Sequence, residues 1–291
     1  MTKQIYNFKN CYCDAACFAQ GAKPLKFWQK DELLLLYEYV IAKNFTSGVK
    51  ELWIVNDFNL DLSPLAQKYS MKIKSIVKME NINALASSML VNDGVVIEVG
   101  KLEELGEREA SEIVSFSARL NIPLLVHFGQ DLYSLGVLDK KYRMPPERVL
   151  EELGFLDRKC YLFGCNYLDK DALSLFENYE VEYIFSPLDD GENGRGFLNF
   201  KLYENKVCHL ASREGEIDMT GNANFLRLST NNLLSSAEMI ALSSYGRLLP
   251  FESDDDEILR LLKSKITLPC ENFAELEQKF CNLLAEKREK N

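Results

Sequence analysis

The chain has 291 residues, 47 % of them apolar and 27 % charged, the composition of a globular protein with enough apolar side chain for a sizeable core. Asp and Glu number 44 against 34 Lys and Arg, a formal net charge of −10, so phosphate backbones are repelled and nucleic acid is excluded as the main partner. No apolar run approaches the ~20 residues that span a bilayer, and the opening MTKQIYNFKN lacks the pattern of a secretory signal. The expectation is a cytoplasmic protein with no membrane partner.

In chain order, 50–57, 72–78 and 94–99 read as buried strands, apolar on both faces as in a parallel sheet. The segment 107–120 has helical periodicity, with Ile113, Val114, Phe116 and Leu120 apolar. Pro123 precedes a strand at 124–129, and 146–154 reads as a short helix with Pro146 in its first turn and Gly154 as its stop. Strand 159–165, helix 169–179 and strand 181–186 follow, then strand 225–229 and helix 236–249. Polar helices close the chain. The Gly-rich stretch 191–196 (GENGRG) follows a strand without opening a clear helix and reads as a flexible loop; ESDDDE at 252–257 reads as a solvated helix start or loop. Neither the dinucleotide nor the phosphate-loop fingerprint occurs.

Strands alternating with helices mean βα units on a parallel sheet. About eight candidate strands in a chain of this length suit a (β/α)8 TIM-type barrel of ~250 residues, with a doubly wound open sheet as the other architecture.

The cysteines are Cys11, Cys13, Cys17, Cys160, Cys165, Cys208, Cys270 and Cys281, and free thiols are expected. The only histidines, His127 and His209, exclude any mechanism that needs three imidazoles. His127 reads either as an interior histidine or as a ligand at a strand's C-terminal end. His209 reads as structural or surface. Asp189 and Asp190 follow strand 181–186 and read as loop residues, with the barrel mouth as the alternative for one of them.

From about 35 to 250 the order of segments resembles the amidohydrolase superfamily, most closely its chlorohydrolase and aminofutalosine-deaminase-like branch. Gly48-Val49-Lys50 stands where the family opens an early strand. The segment 123–130, PLLVHFGQ, matches a strand ending in H-x-x-E, and Pro146, Leu150, Leu153, Gly154 and Leu156 match the helix after it. Phe163-Gly164-Cys165 matches an a-H-c strand, and LDKDALSLF at 168–176 the next helix. FSPLDD at 185–190 matches a P-x-S-N turn, and LSTNNLLSS at 228–236 an l-G-T-D-G strand.

The resemblance implies a metal held by H-x-H, by the His of H-x-x-E, by the His of a-H-c and by the Asp of T-D-G, with the Glu of H-x-x-E moving protons. Of these, this chain keeps only His127. Gln130 replaces the Glu, Gly164 the His and Asn231 the Asp, and Cys11 and Cys13 fall where H-x-H would. An amide cannot shuttle protons, and Asn is a poor substitute for an anionic zinc ligand.

The leading expectation is a catalytically degenerate, metal-free barrel of the metal-dependent hydrolase kind, with no catalytic residue assigned. His127, Gln130, Asn231 and Asp189 are its candidate ligand-binding residues, and a small molecule in the barrel mouth its candidate partner. The first alternative is an active C–N hydrolase with zinc on Cys11, Cys13 and His127, a set chemically suited to that metal although C-x-C spacing is a weak motif; Cys165 is a possible fourth member. The second is a non-catalytic interaction protein. The family's accessory β-sandwich has no room before the barrel, and the C-terminus reads as helix. One bare barrel over 1–291, with a helical segment from about 252 to 291, is therefore expected. Oligomeric state stays open, a homo-oligomer included.

Overall fold

The computed structural model describes residues 4–6, 8–78, 81, 94–196, 198–203, 205–212, 219, 222, 225–226, 238, 242, 263–265 and 273–289. Eight parallel strands form one sheet in chain order: β2 (Phe8–Cys13), β3 (Val49–Val55), β4 (Lys72–Lys78), β5 (Val95–Val99), β6 (Leu124–Phe128), β7 (Cys160–Gly164), β8 (Val181–Phe185) and β9 (Cys208–Leu210). Asn10 on β2 brings the first strand to the last. Its buried side chain donates to Ser212 Oγ at 2.6 Å and accepts from the Ser212 amide at 3.0 Å. A third bond, to Asn44 Oδ1 at 2.9 Å, ties the seam to the first helix. The expected (β/α)8 barrel is the observed fold.

The helices between the strands are α1 (Lys30–Thr46), α2 (Ser63–Lys68), α3 (Glu107–Leu120), α4 (Leu132–Tyr142), α5 (Pro146–Glu152), α6 (Lys170–Phe176) and α7 (Pro187–Glu192), with α8 (Phe273–Glu289) near the C-terminus. Local chemistry sets their ends. Gln29 and Glu32 form a capping box on α1. Asp131 accepts from the Ser134 amide at 2.7 Å to start α4, and Asp169 caps α6. Asn121 at φ 54° stops α3 in a left-handed turn. Helix α8 lies on α1, where Phe280 stacks on Tyr39 at 4.3 Å and Lys287 pairs with Glu32 at 2.6 Å. Among the described residues no helix is long and apolar enough to cross a membrane.

Strand alternation sorts the apolar residues into two cores. Val95, Ile97 and Val99 of β5 face the helices, whereas Val96 points into the barrel. Trp53, Val55, Ile76, Leu125, Tyr161, Phe163 and Ile184 share that interior.

Three expectations need correction. The eighth barrel strand is Cys208–Leu210, not 225–229, where Phe225 and Leu226 are helical. FLRLS carries the apolar density of a strand, but β9 closes the barrel earlier. The GENGRG stretch is only partly loop, because Gly191 and Glu192 end α7. The segment after 252 is not helical throughout: β10 (Lys263–Lys265) pairs antiparallel with β1 (Gln4–Tyr6). Among the described residues, β1 and β10 thus make a two-stranded ribbon. The expected helix 236–249 and the ESDDDE run lie mostly or wholly outside the described residues.

Candidate functional site

Side chains at the C-terminal ends of parallel barrel strands converge on the mouth, where TIM-barrel sites form. Glu98 and His127 occupy such positions on the neighbouring strands β5 and β6. His127 Nε2 lies 2.7 Å from Glu98 Oε1, and the Tyr12 hydroxyl donates to the same oxygen at 2.8 Å. The His127 ring packs against Phe163 at 5.0 Å and edge-on to Tyr12 at 5.7 Å. Burial pushes the Glu98 carboxyl up, but the hydrogen bonds from His127 and Tyr12, with Lys78 nearby, more than offset this and hold it below the usual carboxylate range. Lys78 is bound to Asp57 at 2.7 Å.

Beside this cluster lies a cavity of about 460 Å³ whose walls include Glu98, His127, Gln130, Asp131, Ser134 and Phe128. Its size is that of a small-molecule site. The structure therefore brings together two of the expected ligand-binding residues, His127 and Gln130. Asp189 is not among the residues lining the cavity. It is buried in α7, where Ser186 Oγ donates to its carboxylate. Asp189 and Asp190 are thus helical rather than loop residues. Asn231 lies outside the described residues.

Gln130 and Gly164 are complementary. Gly164 has φ 103°, and a Cβ built on it would sit 2.0 Å from Gln130 Cγ. The amide side chain fills the space that any larger residue at 164 would need.

Cys11 and Cys13 go to different places. The ladder between β2 and β3 is irregular from Asn10 to Cys13. Cys11 lies in the barrel interior with Trp53 and Tyr161, while Cys13 lies in the outer core with its sulfur 3.8 Å from Asn44 Nδ2. Burial pushes the Cys11 thiol up to about 12 and raises that of Cys13 as well, so neither is poised to ionise. Cys165 is fully buried with its thiol raised by burial, and its carbonyl accepts from Tyr203 at 2.6 Å. Among the described residues no three His, Cys, Asp or Glu side chains are grouped closely enough to hold a metal ion.

At the opposite end of the barrel, His209 is buried and its Nε2 lies 2.7 Å from Glu182 Oε2. Lys159 donates to the other oxygen at 2.7 Å. Lys9 and Lys74 stand over the Trp53 ring and flank Glu51. His209 is thus structural and interior, not at the surface.

Sequence reasoning passed over Glu98 and Tyr12. A signal for Glu98 was present: a single carboxylate inside GVVIEV, a strand otherwise apolar on both faces. An acid in such a run is buried, and buried acids need partners.

No family model matches the chain. A stretch of 76 residues, 26 % of the chain, is 25 % identical to a 5-methylthioadenosine/S-adenosylhomocysteine deaminase from Carboxydothermus hydrogenoformans. That match spans 18 % of the relative's length. The barrel superposes on an adenosine deaminase from Xanthomonas campestris, solved with bound zinc, with a TM-score of 0.71 at 10 % identity over 99 % of this chain and 86 % of that one. It superposes on a zinc-complexed atrazine chlorohydrolase from Arthrobacter aurescens with a TM-score of 0.70 at 12 % identity, over 97 % of this chain and 88 % of that one. The chain thus has the (β/α)8 barrel fold of these deaminases and hydrolases, and the resemblance to the amidohydrolase superfamily is borne out at the level of the fold.

Proposed function

We propose that this chain is a catalytically degenerate relative of those hydrolases, a barrel that binds a small molecule in its mouth without holding the family's metal. The observation that carries the reading is the fit of Gln130 over Gly164. Two positions where the resemblance calls for a proton shuttle and a metal ligand have become one packed contact, with a Cβ-to-Cγ separation of 2.0 Å for any side chain added at 164. The donor set points the same way. His127 spends Nε2 on Glu98, and Cys11 and Cys13 belong to separate cores, so their sulfurs do not converge on one tetrahedral ion. These residues do not fit a zinc ion, so no reaction step is routed through one.

What the mouth retains is recognition chemistry. Glu98 offers an ionised acceptor held in place by Tyr12 and His127, beside a cavity with an apolar wall at Val99, Leu105 and Phe128. Cytoplasmic residence belongs to the same proposal.

Metal content of protein purified reduced and without a polyhistidine tag tests this. Less than roughly a tenth of an equivalent of zinc per folded chain is expected, with no ammonia released from amino-purine nucleosides. One tightly held zinc per chain, lost in the Cys11→Ser/Cys13→Ser double variant, overturns the reading in favour of a rebuilt hydrolase site.

A further inference from the structure

We infer that the mouth cavity is a site for an organic cation: a protonated amine or amidinium with a small apolar body, its positive head group set against the Glu98 carboxylate. The inference rests on reading the mouth as a ligand site and names the class of ligand.

The chain contains its own control. Both histidines present Nε2 to a glutamate at 2.7 Å. At the Glu182 pair, both carboxylate oxygens are engaged, Oε1 by Lys159 and Oε2 by His209. At the Glu98 pair, Tyr12 and His127 share Oε1, and Oε2 is buried with no hydrogen-bond partner among the described residues. The Glu98 side chain is 8 % exposed and lines the cavity. An ionised carboxylate only accepts hydrogen bonds. Where Glu182 has an ammonium hydrogen-bonded to its second oxygen, Glu98 has none on Oε2, because nearby Lys78 is bound to Asp57, and a charged donor is the strongest complement to a buried carboxylate oxygen.

The charges around the cavity agree. Its charged lining comprises Lys78, Glu98, Lys101, Glu103, Glu109 and Asp131. Lys78 is matched by Asp57 and Lys101 by Glu104. Behind the wall, Lys141 is held on the carbonyls of Glu103 and Leu105. The remaining field at the mouth is that of the carboxylates, of which Asp131 is engaged in capping α4. A cavity of about 460 Å³ takes a head group and a ring-sized body.

Benzamidine and benzamide share a shape and differ in charge, so calorimetric titration of each into the full chain is the test. Benzamidine is expected to bind at least about tenfold more tightly than benzamide, and Glu98→Gln to weaken it at least about tenfold. Imidazole NMR resonances locate the site, because the chain has two histidines: benzamidine should move the His127 signals and leave those of His209 in place. Should Glu98→Gln fail to fold, Glu109→Gln on the exposed rim is expected to weaken benzamidine about twofold, with affinity falling as salt rises. Equal binding of benzamide overturns the cation while leaving the mouth a ligand site. No binding of benzamidine, insensitivity to these variants, or shifts at His209 instead of His127 also overturn it. None of these readouts depends on metal content, which separately tests the proposed loss of the metal site.

Discussion

The two ends of the barrel start from the same motif and finish differently. Each places a histidine Nε2 2.7 Å from a glutamate inside the strand ring. At the N-terminal end the glutamate is built into a lattice with Lys159, while Lys9 and Lys74 flank Glu51 and cover Trp53. The carboxylates of that end have cations of this chain beside them. At the C-terminal end Glu98 keeps one oxygen without a partner among the described residues and faces a cavity. The difference teaches where to look for function. A buried charge answered within the chain is architecture, and one left open at a cavity is a demand on something else.

The largest effect should come from the N-terminal end. Trp53 is fully buried between the interior core and the lysines, so Trp53→Ala is expected to cost ~3–5 kcal/mol, read from the urea midpoint. A loss under about 1 kcal/mol would mean that this end is not the rigid one.

At the mouth, Gly164→Ala introduces a Cβ at φ 103° into Gln130 and is expected to cost ~1–3 kcal/mol. Combined with Gln130→Ala it should cost measurably less than the sum of the two single changes. Simple additivity would show that the contact between these positions is not what strains the variant.

Acid sharpens the comparison further. Burial pushes the Glu182 carboxyl up, but the hydrogen bonds from His209 and Lys159 hold it down at about 2, against an ordinary value of 4.5. A depressed carboxylate stabilises the fold fully above pH 4.5 and loses that contribution as pH falls toward 2. After allowance for solvent screening this is about 1–2 kcal/mol. Wild type should therefore lose more stability than Glu182→Gln between neutral pH and pH ~3; parallel losses would remove Glu182 from the account. The smallest effect belongs to Tyr12→Phe, which deletes one of two bonds to Glu98 Oε1 for about 1 kcal/mol.

Much of the barrel was legible because its central strands are buried on both faces and read as continuous apolar runs. β5, with five apolar-flanked residues, and α3, whose periodicity gives its bounds, are examples. The two seam strands were not so legible. β2 carries Lys9 and Asn10, whose polar side chains serve the charged end and the closure. β9 has three residues, one of them the buried His209, too few to show a period. For the site, His127 and Gln130 were readable from motif order. The partnership of Gln130 with Gly164 joins two different strand ends and is visible only in three dimensions. The split between Cys11 and Cys13 depends on a ladder irregularity that C-x-C spacing alone does not encode.

Asn10 also sets a timetable. It meets Ser212 across a separation of 202 positions, so a nascent chain leaving the ribosome exposes β2 as an open sheet edge until residue 212 has been made. Strand edges of that kind invite pairing with other chains, and contacts so distant in sequence form slowly. Synthesis is thus a stage at which aggregation through this edge is expected, and a chain cut short before Ser212 would carry the exposed edge permanently.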